Sequence, residues 1–370
     1  MDKIKVNLRE NSYEILVGEN ILFNIKQIIE EGRLGSEIFI LTDSEVNKLY
    51  GKSLAKKLKS FRPKIILIPR GEKNKNLKET SRLYDQLIRY SAHRDSLIIA
   101  LGGGVIGDMA GFVAATYMRG VNYIQVPTTL LAQVDASVGG KTGVNHPQEK
   151  NLIGAFYQPK AVIIDVRTLA TLPARQLRTG LAEVVKYGII KDAEFFKFIE
   201  ANAHHLNVNA FKSSDTLRAA MKVWQIIVKE SAKIKARVVS EDEKEAGLRM
   251  ILNYGHTVGH AIESATNYRK FMHGEAVALG MIAAAYIAEE LKMIDGAVVE
   301  RIINLLGKLG LPTKITGVSC RKIGNGLIKD KKVREGKINF VLPEKIGSVV
   351  VRNDVPITAV RKALERVGCK

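Results

Sequence analysis

Cysteine is scarce in this chain: Cys320 and Cys369 are the two in 370 residues. They lie far apart and form no metal-ligand spacing, so neither a cysteine zinc site nor a disulfide framework of the small secreted kind is expected. In a reducing compartment the two read as free thiols, with a disulfide between them as the open alternative. No run of about 18 apolar residues is free of a charge or a breaker, which excludes a membrane-spanning helix. No charged-then-apolar secretion signal opens the chain, because MDKIKVNLRENSYEILVG has the pattern of a strand. These absences point to the cytoplasm. Internal repeats, low-complexity segments and long linkers are also missing.

Acidic residues are few for a chain this basic, 38 Asp and Glu against 57 Lys and Arg, giving a formal charge of +19. A nucleic-acid partner is one way to use that excess. Against it, the lysines are spread along the chain, aromatics make up 6% of residues and are rarely interleaved with them, and no known recognition motif is present. An acidic small substrate or solubility accounts for the charge more economically, and Lys-rich surfaces also occur in heat-adapted proteins.

What is present is enough apolar material, 46% of residues, to fill two cores. Up to residue 172 short apolar strands alternate with amphipathic helices, as in an α/β domain with a largely parallel sheet. The expected strands are Glu37–Thr42, Lys64–Pro69, Ser96–Leu101, Tyr123–Val126 and Ala161–Asp165, with helical spacing over Ser44–Ser60 and Leu77–Ser91. From Pro173 on, β-branched runs become rare and long helical stretches follow, including Leu177–Lys191, Thr216–Ala236, His256–Ser264 and Glu275–Leu291. A hairpin of Ile338–Leu342 with Ser348–Val351 and a terminal helix close the chain. The expected fold is therefore an α/β N-terminal nucleotide-binding domain, residues 1–172, and a mostly α-helical C-terminal domain, residues 173–370.

Three segments carry chemistry. In the first, Gly102-Gly103-Gly104-Val105-Ile106-Gly107-Asp108 follows an apolar strand and opens a helix, where backbone amides can approach a pyrophosphate. The spacing departs from the usual dinucleotide fingerprint, and such a turn serves tight packing as readily as cofactor binding. Thr128 and Thr129, at the end of the next strand, favour the ligand reading. The second segment, Gln133 to Asn145 with Lys150-Asn151, is Gly-rich and polar and reads as a ligand-wrapping loop in which Lys141 and Lys150 supply positive charge. The alternative is a surface loop with solvated lysines. In the third, three of the seven histidines fall between residues 256 and 273. A helix presents His256 and His260, four residues apart, on one face, as a divalent metal requires. Glu183, in an otherwise apolar helical stretch, is the candidate carboxylate ligand, or else a plain ion-pair partner of Lys186.

Taken together, GGGVIGDMAGFVAATYMRG, IQVPTTLLAQVDASVGGKTGVNHP, EKNLIGAFYQP, LAEVVKYG, EAGLRMILNYGHTVGHAIE and MHGEAVALGM resemble the 3-dehydroquinate synthase family, from the Pro69–Lys73 turn to Asp330-Lys331-Lys332. Departures are small: Glu149 stands where many members have glycine, and Arg70 precedes Gly71-Glu72-Lys73. The resemblance implies a divalent metal, zinc foremost and cobalt as an alternative, held by Glu183, His256 and His273, which moves His260 from the metal to the substrate phosphate. It implies NAD against Gly103, Gly104, Val105 and Asp108, with Thr128 and Thr129 nearby and Asp43, Glu72 and Lys75 around the adenosine end. Substrate contacts are implied for Asp135, Lys141, Lys150, Asn151, Lys186, Lys235, Glu245, Arg249, Asn253, His260 and one of Lys331 and Lys332. Of these, Lys186, Glu245, His260 and Asp135 are expected to be catalytic. Arg119 is expected to reach into a neighbouring subunit's site, which implies a homodimer.

The implied substrate is a phosphorylated sugar acid, 3-deoxy-D-arabino-heptulosonate 7-phosphate. The implied reaction runs through transient oxidation of C5 by NAD, phosphate elimination, re-reduction, ring opening and aldol closure. Two readings compete within the fold: sugar-phosphate cyclases whose substrates lack the carboxylate, and metal-dependent glycerol-dehydrogenase-type enzymes, which would reduce NAD on balance. Lys235 and Arg249, two cations that call for an anion, argue against the first. A nucleic-acid-binding protein, resting on the +19 charge, is the reading from another class.

Overall fold

Apolar, largely β-branched runs build the strands of the N-terminal half: Asp2–Val6 (β1), Tyr13–Gly18 (β2), Glu37–Thr42 (β3), Lys64–Leu67 (β4), Ser96–Gly102 (β5), Asn122–Pro127 (β6), Lys141–His146 (β7), Glu149–Phe156 (β8) and Ala161–Asp165 (β9). The computed structural model describes residues 1–206, 214–328, 333–334 and 337–370; Lys331 and Lys332 lie outside these. Seven strands form one sheet in the order β1-β2-β9-β6-β5-β3-β4. The β1–β2 pair is antiparallel, and the neighbours from β2 to β4 run parallel.

Side chains alternate across the sheet, as the two-residue period of a strand requires. Ile38 and Ile40 of β3 and Leu97 and Ile99 of β5 pack with Ile25, Ile29, Leu54 and Leu58. Phe39 and Leu41, Ile98 and Ala100 pack instead with Leu83, Leu87, Met109 and Val113. The helical turns after β3 and the Gly104–Thr116 helix after β5 therefore cover opposite faces. Because β3 and β5 are neighbours, their C-terminal ends flank a switch point, where open α/β sheets bind ligands.

The stretch after β3 is less regular than its spacing predicts. Asp43 caps it, accepting from the amides of Glu45 and Val46, but a π-type turn over Asn47–Gly51 interrupts the α-helix before Lys52–Lys57. The segment expected as a ligand-wrapping loop is also different: Ala132–Ala136 is a π-type turn, and Lys141–His146 is a strand paired antiparallel with Glu149–Phe156. Its glycines serve that pairing, since a Cβ on Gly154 would stand 2.2 Å from the carbonyl oxygen of Thr142. Glycine here hides the strand periodicity.

The chain divides into two compact units, Met1–Leu172 with Ser231–Lys244, and Pro173–Glu230 with Glu245–Lys370. A break at 172/173 alone leaves Ser231–Lys244, the end of the Ser214–Glu241 helix and the residues after it, with the second unit. In the second unit the His273–Glu290 helix is apolar almost all round, with buried residues from Gly274 to Ala288, so it is the central element. Its neighbours include the helices Ala174–Lys191, His256–Ala265 and Ile357–Val367. Phe340–Lys345 and Ser348–Arg352 form the expected hairpin.

Cys320 and Cys369 are joined in a disulfide, with Cα atoms 5.2 Å apart, which corrects the expectation of two free thiols. Main-chain bonds from Ile315 to Val367 and from Cys320 to Lys370 run the tail beside residues 315–320. A separation of 49 residues conceals that proximity. Among the described residues no helix is long and apolar enough to cross a membrane.

Candidate metal centre and cofactor site

The 18-residue helix Ala174–Lys191 buries Glu183 and Lys186 one turn apart. Their side chains form an ion pair through Glu183 Oε2, so the ion-pair reading of Glu183 holds. It does not displace the metal reading, because the other oxygen has different neighbours. Nε2 of His256 lies 3.5 Å and Nε2 of His273 3.6 Å from Glu183 Oε1. Tetrahedral zinc, with bonds of about 2.0–2.1 Å, sets adjacent ligand atoms roughly 3.3 Å apart.

Both rings are oriented by their other nitrogen. His256 Nδ1 donates to the carbonyl of Tyr254 at 3.1 Å, and His273 Nδ1 donates to Glu263 Oε2 at 3.2 Å. With Nδ1 so engaged, the Nε2 of each ring is the nitrogen toward Glu183 Oε1, the arrangement metal-binding histidines adopt. Burial holds His256 well below the usual imidazole range, against the pull of Glu183. For His273, burial also lowers the pKa, but hydrogen bonds to Glu183 and Glu263 outweigh it and raise the value to about 10. The donor set fits a divalent metal.

Spacing alone pairs His256 with His260 as joint ligands. Among the described residues the groups able to hold a metal are Glu183 with His256 and His273, and His260 with Glu263 and His273; neither unites His256 with His260. Their rings meet edge to face at 5.5 Å, so one helical face brings the rings close, yet the two share no group of three donors.

Close approach of backbones makes the cluster possible. A Cβ on Gly274 would lie 2.0 Å from the carbonyl oxygen of Thr179, so only glycine lets the helix that begins at His273 sit this close to the helix carrying Glu183. Arg175 clamps the same two helices, donating from Nε and Nη2 to the two oxygens of Glu275, both at 2.7 Å. Glu275 also accepts from the amide of Met272, and the paired arginine and this amide hold its pKa low although burial works the other way. Glu263, Arg175 and Glu275 have no role in the expectations drawn from sequence. Glu263 did have a signal, since His256, His260 and Glu263 at i, i+4 and i+7 share one helix face.

The other expected residues of this unit lie on neighbouring turns. Glu245, held at a positive φ of 60°, accepts from Asn253 Nδ2 at 2.7 Å. Arg249 is buried and His260 half-buried.

In the first unit, the expected cofactor residues sit at the C-terminal ends of the strands. Asp43 follows β3, Gly103 and Gly104 follow β5, and Thr128 and Thr129 follow β6. No side chain caps the Gly104–Thr116 helix, whose N-cap is Gly103. A Cβ on Gly102 would collide with Ile106 at 2.7 Å, whereas one on Gly104 would meet only Ala136 at 3.4 Å. Packing therefore explains Gly102 but not Gly104, and the bare amide end of the helix suits an anion.

Lys75, 4% exposed, ties this turn to the β7–β8 hairpin, its ammonium bonded to both Asp108 and Asn151. Glu72 accepts from Asn145 Nδ2 at 2.8 Å, and the Asn145 amide donates to the Lys75 carbonyl. The structure thus joins Lys75 and Asp108, expected at NAD, to Asn151, expected at substrate. Lys235 Nζ donates to the Asp135 carboxylate and carbonyl, both at 2.7 Å. Lys141 is exposed at the start of β7 and Lys150 half-buried on β8. Arg119 is exposed in a tight turn where Met118 and Arg119 both take positive φ, 50° and 66°.

Family models described as 3-dehydroquinate synthase N-terminal and C-terminal match residues 65–179 and 180–333. A 3-dehydroquinate synthase of Nostoc punctiforme is 48% identical over 366 residues, covering 98% of each chain. Among solved structures, 2-deoxy-scyllo-inosose synthase complexed with carbaglucose-6-phosphate, NAD+ and Co2+ superposes with a TM-score of 0.88 at 29% identity, covering 99% of this chain and 100% of that one. The 2-epi-5-epi-valiolone synthase ValA of Streptomyces hygroscopicus subsp. jinggangensis, with NAD+ and Zn2+ bound, gives 0.84 at 28%, covering 97% and 98%. Matched by both family models and nearly half identical to a relative over almost its whole length, the chain belongs to the 3-dehydroquinate synthase family, the NAD- and metal-dependent lyases of the shikimate pathway.

Proposed function

We propose that the chain converts 3-deoxy-D-arabino-heptulosonate 7-phosphate to 3-dehydroquinate and phosphate with Glu183, His256 and His273 as metal ligands and the glycine turn at residues 103–105 as the NAD site. The observation that carries this reading is the convergence of two oriented imidazoles on one buried carboxylate oxygen, at 3.5 and 3.6 Å. Zinc or cobalt, the metals named in the two related structures, would acidify a substrate hydroxyl there while NAD accepts and returns the hydride.

The chain's own groups do the rest. Lys186 holds Glu183 Oε2, leaving Oε1 toward the histidines. Asp108 and Thr128, with Thr129, line the ends of the strands where NAD would lie against the uncapped helix, and Lys75 fixes Asp108 in place. Asp43, Glu72 and Val105 complete that edge. The Asp135–Lys235 and Glu245–Asn253 pairs, with Arg249, Lys141, Lys150 and Asn151, supply polar contacts to a phosphorylated acid. His260, on the same helix face as His256, is the residue we assign to the substrate phosphate. The two strained residues at 118–119 support a dedicated role for Arg119, which we assign to a neighbouring subunit's site in a homodimer. We place the protein in the cytoplasm, where disulfides such as Cys320–Cys369 do occur in proteins of hyperthermophiles.

One argument against the carboxylate-free cyclases is weakened by the structure. Lys235 already has the Asp135 carboxylate as counter-charge and does not call for an anion from the substrate. What favours the heptulosonate phosphate is the identity, 48% with the dehydroquinate synthase against 29% and 28% with the two cyclases. Incubation with the heptulosonate phosphate, NAD and zinc tests the reading: phosphate and 3-dehydroquinate should form together while NADH does not accumulate. Net NADH formation, or turnover of a carboxylate-free sugar phosphate in preference, would overturn it.

A further inference from the structure

We propose that Glu263 is a positioning residue of the metal centre, its buried carboxylate holding His273 Nδ1 so that Nε2 faces Glu183. This rests on the reading of Glu183, His256 and His273 as the metal ligands. Glu263 lies seven residues after His256 on the same helix, is 6% exposed, and accepts from His273 Nδ1 at 3.2 Å.

The two rings of the cluster are held in different ways. His256 is oriented by the main-chain carbonyl of Tyr254, an acceptor that any sequence provides. His273 depends on a side chain. It is also the member shared by two donor groups, one with Glu183 and His256 and the other with His260 and Glu263. An imidazole offers Nε2 to the first group as a neutral ligand only while Nδ1 carries the proton, and the Glu263 carboxylate is the acceptor that selects that tautomer. Glu263 thus engages Nδ1 and leaves Nε2 as the nitrogen toward Glu183.

The test compares Glu263→Ala and Glu263→Gln with the wild type in zinc affinity, by competition with a chromogenic chelator, and in the visible spectrum of the cobalt-loaded protein. Glu263→Ala should weaken zinc binding about 10- to 100-fold and alter the cobalt bands. Glu263→Gln keeps an acceptor for Nδ1 and should lose less affinity. Zinc affinity within about twofold of wild type in Glu263→Ala, with an unchanged cobalt spectrum, overturns the proposal. Should that variant fail to fold, Glu263→Gln must still lose more than about twofold, and wild-type affinity in it is equally decisive. Glu183→Ala and His256→Ala separate the two levels. If they bind zinc normally, the ligand reading itself fails; if they lose zinc while the Glu263 variants keep it, only the positioning role fails.

Discussion

Lys186 and Glu183 are paired one turn apart on a single helix, both essentially without solvent contact. The pair uses Glu183 Oε2 and leaves Oε1 to the histidines, so one carboxylate balances a buried charge and faces two imidazoles at once. Removing one partner of a buried pair strands the other charge, which costs roughly 3–5 kcal/mol. Lys186→Ala should therefore lose that much stability in metal-free protein, less when zinc supplies positive charge to the same carboxylate. Urea unfolding with and without zinc measures both; an equal loss in the two states would contradict shared occupancy of Glu183.

Lys75 bonds to Asp108 and Asn151 and thereby ties the glycine turn to the β7–β8 hairpin. Hydrogen bonds to charged groups contribute roughly 1.5–3 kcal/mol. Lys75→Met retains the aliphatic stem and should raise the Kd for NAD roughly 10- to 100-fold, read by fluorescence titration. An unchanged Kd would show that Asp108 keeps its position unaided.

Two glycine replacements should act in opposite directions. Gly274→Ala drives a methyl group into the Thr179 carbonyl, and overpacking of this kind costs about 1–3 kcal/mol or more. Zinc affinity should fall with it, because the helix carrying His273 must move. At Gly324, within the Cys320–Ile328 helix, an added Cβ would meet nothing within 4 Å, and Gly324→Ala should stabilise by roughly 0.4–1 kcal/mol. Thermal unfolding and chelator competition on both variants check the contrast.

The Arg175–Glu275 clamp sets an acid limit. Glu275 has a folded-state pKa below its ordinary value of 4.5. Its contribution is therefore complete above about pH 4.5 and is lost as pH falls through the folded value. Stability should decline below pH 4.5, and Arg175→Ala should flatten that decline while lowering the plateau modestly, since Arg175 is half exposed. Parallel curves for the two proteins between pH 3 and 6 would exclude the clamp as the cause.

Reduction of Cys320–Cys369 opens a loop with a sequence separation of 49. Chain entropy assigns such a link about 4 kcal/mol as an upper figure. Reductant, or Cys320→Ser with Cys369→Ser, should lower Tm while leaving zinc affinity of the folded protein unchanged. A Tm insensitive to reductant would show that the main-chain bonds of residues 315–320 hold the tail by themselves.

Local pattern determined much of this protein. Short apolar runs located β3, β5 and β9 within a residue, because strands buried on both faces read as continuous apolar stretches, and helical spacing located Leu77–Arg89 and His256–Ala265, because burial of one helix face leaves a periodic trace. The long ordered motifs determined the family for the same reason that they determine the reaction: they are the residues themselves. The tertiary structure decided what depends on direction and distance across the chain. Spacing puts His256 and His260 on one face, but which imidazoles turn a nitrogen toward Glu183 depends on ring orientation, set by Tyr254 for His256 and by Glu263 for His273. Glycine erased the strand signal of residues 141–146, since its missing side chain both permits the close pairing with β8 and removes the period that would announce it. The disulfide, the Arg175–Glu275 clamp and the Lys75 link join residues 49, 100 and 33 or 76 apart, and no local rule reaches that far; only the packed fold brings those side chains together.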